Sequence, residues 1–208
     1  MGNINESLKK ARKIVIKIGS NTLAKADGTQ NTQFMEEFAA QCADLIKQGK
    51  QIILVSSGAQ VAGVSTTKEW ARKKDVHYRQ ALCAIGQVEL MHQWRKAFQK
   101  QNLHIGQLLL TKDDFKNEHR SLNIRNTLFT LVDEGVVPII NENDSVSFDE
   151  IKIGDTNAFG TGGMETKIQA AEKVTEYGIE MLLANGGKTR SLAALFEDDA
   201  KATLFTVK

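Results

Sequence analysis

Short apolar, β-branched runs alternate with longer stretches of helical periodicity, and this constrains the fold more than any other feature of the sequence. KIVIKI (13–18) ends at Gly19. QIILV (51–55), HIGQLLL (104–110), VVPIIN (136–141) and IEMLLAN (179–185) read as further strands, with ATLFTV near the C-terminus as a last one. Between 32 and 48 the apolar residues Phe34, Phe38, Cys42, Leu45 and Ile46 fall near helical spacing, and Gly49 offers a stop. Helices are also predicted over roughly 78–100, over 121–134 closed by Gly135, and over 166–177 stopped at Gly178. Such alternation argues for an α/β sandwich with a largely parallel sheet. Ligands bind such sheets beyond the C-terminal strand ends, so the candidate residues are those that follow each strand.

A chain of 208 residues holds one sizeable core, or one domain with a small appendage. Its 27 Lys and Arg nearly balance 25 Asp and Glu, which argues against nucleic acid or an anionic membrane as the main partner. Cys42 and Cys83 sit singly in apolar, helix-like stretches, which fits buried thiols in a reducing cytoplasm. With no CxxC and four scattered histidines (His77, His92, His104 and His119), a structural zinc site is not expected. MGNINESLKKARK lacks an apolar core for a secretory signal, and Glu6 stands where myristoylation wants Ser or Thr. No apolar run approaches a membrane span.

Four clusters follow the strands. KIGSNT places Lys17 late in a strand before the small residues Gly19 and Ser20, which suits an ammonium aimed at a phosphate; an ordinary strand-edge lysine and turn would look the same. SSGAQVAG (56–63) combines hydroxyls, small residues and a helix start, which suits an anion, although tight packing also favours Gly and Ala. NENDSV (141–146) is a dense polar group able to fix a substrate ammonium, or else a turn rich in Asn and Asp. GTGGMETK (160–167) leads three glycines into a helix with Lys167 in its first turn, which makes an anion cradle; the plain alternative is a flexible loop. Neither a Walker A motif nor a Rossmann fingerprint is present: before Gly187-Lys188-Thr189, Leu182 replaces the required first glycine.

KIGSNTL, VSSGAQVAG, AIGQ (84–87), GQLLLT, NENDSV, KIGD and GTGGMETK occur in the order found in the amino acid kinase family. From about Lys13 to Phe205 the chain resembles that family, most of all its glutamate-phosphorylating members; NENDSV with GTGGMETK is a specific pair. The resemblance implies a three-layer αβα sandwich with a mainly parallel central sheet. It implies transfer of phosphate from ATP to the γ-carboxylate of L-glutamate in the cytoplasm, the first step toward proline. Lys17 matches the family's first-strand phosphate lysine, with Gly19 and Ser20 beside it. Ser57, Gly58 and Ala59 match the glutamate loop, and Asn143 and Asp144 the residues around the substrate amino group. Thr161, Gly162, Gly163, Met164, Glu165, Thr166 and Lys167 match the nucleotide loop, Lys167 being a second phosphate lysine. Mg²⁺ would bridge the phosphates, with no metal-ligating side chains assigned. Proline feedback and a homo-oligomer, dimer or tetramer, are further family expectations. The alternatives are a sibling kinase for N-acetylglutamate, aspartate, carbamate or UMP, or a shortened, non-catalytic glutamate-binding relative.

Residues 1–12 read as an N-terminal extension and 13–208 as the kinase domain, without the C-terminal PUA domain of some members; no nucleic-acid or membrane role is expected. After KIGD the family continues with an Asn-Asp pair and a long segment that includes nucleotide contacts. Here Thr156 to Phe159 lead straight to GTGGM, so by this resemblance a segment of roughly 50 residues is missing. Asp155 is then the nearest remaining acid for catalysis. A disordered segment closed up in the numbering is the preferred explanation over a true shortening, since loss of a central strand would leave backbone groups unpaired.

Overall fold

The computed structural model describes residues 4–68, 71–72, 74–147, 164–186, 191–196 and 202–207. In chain order the first elements are α1 (Ile4–Lys10), β1 (Lys13–Ile18), α2 (Ser20–Leu23), α3 (Thr32–Lys47), β2 (Gln51–Ser56), α4 (Ala59–Thr67) and α5 (Val76–Gln99). There follow β3 (Ile105–Leu110), α6 (Lys112–Lys116), α7 (Glu118–Asp133), β4 (Val137–Glu142), α8 (Met164–Glu176), β5 (Met181–Ala184), α9 (Ser191–Phe196) and β6 (Ala202–Phe205). They fall into two compact units, Lys13–Gly160 and residues 1–12 with 161–208.

The larger unit is α/β, built on a four-stranded parallel sheet of order β1-β2-β4-β3. The register lines up Lys17, Val55, Ile140 and Leu108 across it, so all four strands end along one edge. Pro138 lies in a central strand yet breaks no ladder bond. Val137 N–H points to His104 on the β3 side, and the pairing toward β2 begins only at Leu54–Ile139. On β1 the residues Lys13, Val15 and Lys17 share the exposed face.

Helix α3 starts where the Asn31 side chain accepts from Phe34 N–H, and it buries Met35, Phe38, Ala39, Cys42 and Leu45 along one stripe. That stripe meets α5 through Phe38 and Trp94, packed edge to face at 6.2 Å between centroids. Trp94, Leu90 and Phe98 are fully buried, each worth about 2–3 kcal/mol of apolar transfer. Helix α4 crosses α5 with no room for side chains: a Cβ on Gly86 would lie 1.8 Å from the Ala59 carbonyl oxygen, and one on Gly63 would lie 2.0 Å from that of Leu82. The small residues of VAG and AIGQ therefore serve a helix–helix crossing.

In the second unit α1 rests on α9, with Asn5 Nδ2 donating to the Phe196 carbonyl at 2.8 Å. The last two expected strands form, but they pair with each other, antiparallel, in a separate two-stranded ladder. Among the described residues no helix is long and apolar enough to cross a membrane. Both cysteines are free and buried, and all four histidines are exposed.

Candidate active site

The strand ends of the larger unit are tied in pairs. Ser57 N–H donates to the Ile18 carbonyl at 3.1 Å, and Asn143 N–H to that of Leu110 at 2.9 Å. These bonds bring Gly19, Ser57, Thr111 and Asn143 to the same edge of the sheet. Neighbouring strands lie about 4.8 Å apart, so the turn after β1 and the turn after β4 stand about 10 Å from each other. That span is suited to a small acid beside a phosphate group.

Lys17 is exposed, and its ammonium folds back over the turn, 3.6 Å from where a Cβ on Gly19 would lie. Gly19 is thus the N-cap of the short α2, and Ser20 its first residue. A larger side chain at Gly19 would compete with that ammonium for the same space.

At the end of β2, Ser56 is buried and points inward, where its Oγ accepts from Trp94 Nε1 at 2.9 Å and donates to the Ser57 carbonyl at 3.1 Å. Gly58 then takes φ 109°, a left-handed conformation natural to glycine, and a Cβ there would also press on Leu23 Cδ1 at 3.1 Å. No side chain caps α4, so the first amides of this helix stay open to an anion. Ala59 has its side chain in the core and can offer a ligand only its backbone.

The turn after β4 is held by its own bonds. Val146 and Ser147 N–H both donate to the Asn143 carbonyl, and Ser147 Oγ donates to Glu142 Oε1. Asn141 Oδ1 accepts from Glu142 N–H at 2.9 Å, while its Nδ2 donates to Gln87 Oε1 at 2.8 Å. The Asp144 carbonyl accepts from Gln80 Nε2 at 2.9 Å. After β3, Thr111 and Asp114 form a reciprocal capping box at the start of α6. Those bonds and Arg120 hold the Asp114 carboxyl below its usual range, the Thr111 backbone bond being the largest cause.

Lys17, Gly19, Ser20, Ser57, Gly58, Ala59, Asn143 and Asp144 therefore share one sheet edge. Asp155, Thr161, Gly162 and Gly163 lie outside the described residues. Met164, Glu165 and Thr166 open α8, and Lys167, exposed in its first turn, belongs to the second unit. The motifs take in Ser56 and Gln87 without giving either a role of its own, and they leave out Gln80 and Trp94. Gln80, Gln87 and Trp94 are linked in the sequence by a seven-residue recurrence on the long helix.

A parallel sheet whose strand ends carry an exposed lysine, an uncapped helix start and an acidic, amide-rich turn fits the layout of a small-molecule kinase. The chain belongs to the amino acid kinase family, whose model matches residues 12–157. Its relatives within that family include glutamate 5-kinases. That of Alkaliphilus metalliredigens (strain QYMF) is 47% identical over 259 aligned positions, covering 97% of this chain and 98% of the relative. That of Alkaliphilus oremlandii (strain OhILAs) is 45% identical with the same coverage. Carbamate kinase from Giardia lamblia bound to AMP-PNP shares the fold at 15% identity, with a TM-score of 0.60 over 96% of this chain and 100% of that one. Since 259 aligned positions exceed 208 residues, at least 51 positions of the comparison with the A. metalliredigens enzyme have no residue here.

Proposed function

We propose that the chain phosphorylates the γ-carboxylate of L-glutamate with ATP, giving γ-glutamyl phosphate and ADP, the first step of proline biosynthesis. The observation that carries this reading is the high identity to glutamate 5-kinases across nearly the whole chain. The gathering of the candidate residues along one sheet edge supports it.

The reaction asks little covalent chemistry of the protein. A γ-carboxylate oxygen forms a bond to the γ-phosphorus, the bond from that phosphorus to the β,γ-bridging oxygen breaks, and ADP leaves. The attacking carboxylate is already ionised near neutral pH, so no general base is needed. Positioning and charge neutralisation supply the rate. In this reading Asp144, with Asn143, holds the substrate ammonium. Ser57, Gly58 and the open amides from Ala59 onward receive a substrate carboxylate. Lys17, over the Gly19–Ser20 turn, faces the phosphates; Lys167 and residues 161–166 are separate candidates for nucleotide contacts. Asp155 is the candidate for organising charge around the transfer. Mg²⁺ would accompany the nucleotide and supply charge neutralisation on the phosphates, with no protein side chain assigned to hold it. Proline feedback, a homo-oligomeric state and a cytoplasmic location belong to the same reading.

A coupled ADP-release assay with glutamate, aspartate, N-acetylglutamate, carbamate and UMP tests it. Turnover is expected with glutamate; turnover with another acceptor but not glutamate would reject the assignment. A second reading draws on those unmatched positions, at least 51 of them. We place them between Asp155 and Gly160, where the chain is short. A relative shortened there would bind glutamate without transferring phosphate, and calorimetry showing glutamate binding but no ATP binding would favour it.

A further inference from the structure

Gln80, Gln87 and Trp94 recur at seven-residue intervals on α5, and each bonds to a different point near the C-terminal edge of the sheet. Two helical turns span about 7.2 residues, so the three lie along one stripe. Trp94 holds Ser56 at the end of β2. Gln87 holds Asn141 in β4. Gln80 donates to the carbonyl of Asp144, across 64 positions of sequence.

Asp144 stands beyond the last residue of β4, in a turn held by bonds to the Asn143 carbonyl and by Ser147 Oγ on Glu142. The direction of an aspartate side chain follows the orientation of its own backbone. A bond that holds the Asp144 carbonyl therefore limits its carboxylate to the few staggered directions which that backbone allows. We infer that Gln80 is a positioning residue for Asp144, with Gln87 steadying the strand below it. Helix α5 then sets the glutamate-binding geometry without touching the substrate. The inference rests on the reading above, in which Asp144 receives the glutamate ammonium.

Gln80→Met keeps the length of the side chain and removes the donor. Gln80→Glu keeps the shape and replaces the N–H donor with an acceptor. Glutamate binding is measured by calorimetry without nucleotide, beside KM for glutamate, KM for ATP, kcat and the thermal midpoint. Both variants should bind glutamate about five-fold more weakly, with a matching rise in its KM. The ATP KM and kcat should stay within about two-fold, and the midpoint should hardly move. Gln93→Met is the control, because the Gln93 amide donates to Glu89 on the same helix, and it should leave glutamate affinity unchanged. Parent-like glutamate affinity in both Gln80 variants would overturn the inference, as would an equal loss in Gln93→Met. A parent chain that binds no glutamate would instead sink the substrate reading, and this assignment with it.

Discussion

Lys17 owes its position to strand register. It pairs opposite Val55 two residues before the β1 turn, on the face where Lys13 and Val15 are also exposed. Lys167 owes its position to a glycine-led helix start, since α8 begins at Met164. In the proposed reaction each lysine is a candidate for nucleotide phosphate, whereas Asp144 is the candidate for the amino acid. Lys167→Ala should therefore lower kcat by about 10²–10³-fold, the usual loss when a charge-stabilising donor is removed from a transfer site, with glutamate affinity nearly intact. Asp144→Ala should do the reverse, raising KM for glutamate about ten-fold or more through loss of a charge-assisted bond. Steady-state kinetics beside glutamate calorimetry separates the two. An equal loss of glutamate affinity in Lys167→Ala would make that lysine structural.

At the scale of elements, two helices are started with the help of a carboxylate, the Asp75 cap of α5 and Asp114 in the capping box of α6. Asp75 accepts from Tyr78 N–H at the start of α5, and Asp114 accepts from Thr111 N–H at the start of α6. Both sit below the ordinary 3.8, and in each the largest cause is a backbone hydrogen bond. A carboxyl depressed by folding stabilises the native state fully above its unfolded value. That contribution fades as the pH falls through the lower native value. The part of stability lost below about pH 3.8 should therefore shrink in an Asp75→Asn, Asp114→Asn double variant, seen as a flatter thermal midpoint against pH between about 4 and 2. An unchanged acid slope would show that other carboxyls set it. The α4–α5 crossing at Gly63 and Gly86 complements these caps: it brings the α4 start and the α5 stripe to the same sheet edge.

For the whole molecule, the decisive feature is the set of aligned positions that have no residue here. All the candidates for the glutamate side, from Ser57 to Asp144, precede Asp155 and lie in the unit with the parallel sheet. The shortening placed after Asp155 should therefore spare glutamate affinity and fall on the nucleotide. Calorimetry against the A. metalliredigens relative should give glutamate affinities of the same order. ATP should bind at least about ten-fold more weakly here, a difference of about 1.4 kcal/mol. Equal ATP affinity would mean that the unmatched positions carry no nucleotide contacts.

Much of this was already in the sequence. The β-branched runs at 13–18, 51–55, 104–110 and 136–141 became the parallel strands, because period and composition select strand locally before any packing is known. The strand-end rule then led to Lys17, Ser57 and Asp144. Tertiary structure decided what periodicity cannot carry. It set the order β1-β2-β4-β3, paired β5 with β6 antiparallel, and spent the glycines of AIGQ and VAG on a helix crossing. It also gave Gln80 a partner 64 residues away. A strand or a cap is chosen by neighbours in sequence, but a glutamine on a helix acquires meaning only when folding delivers a carbonyl within hydrogen-bond reach.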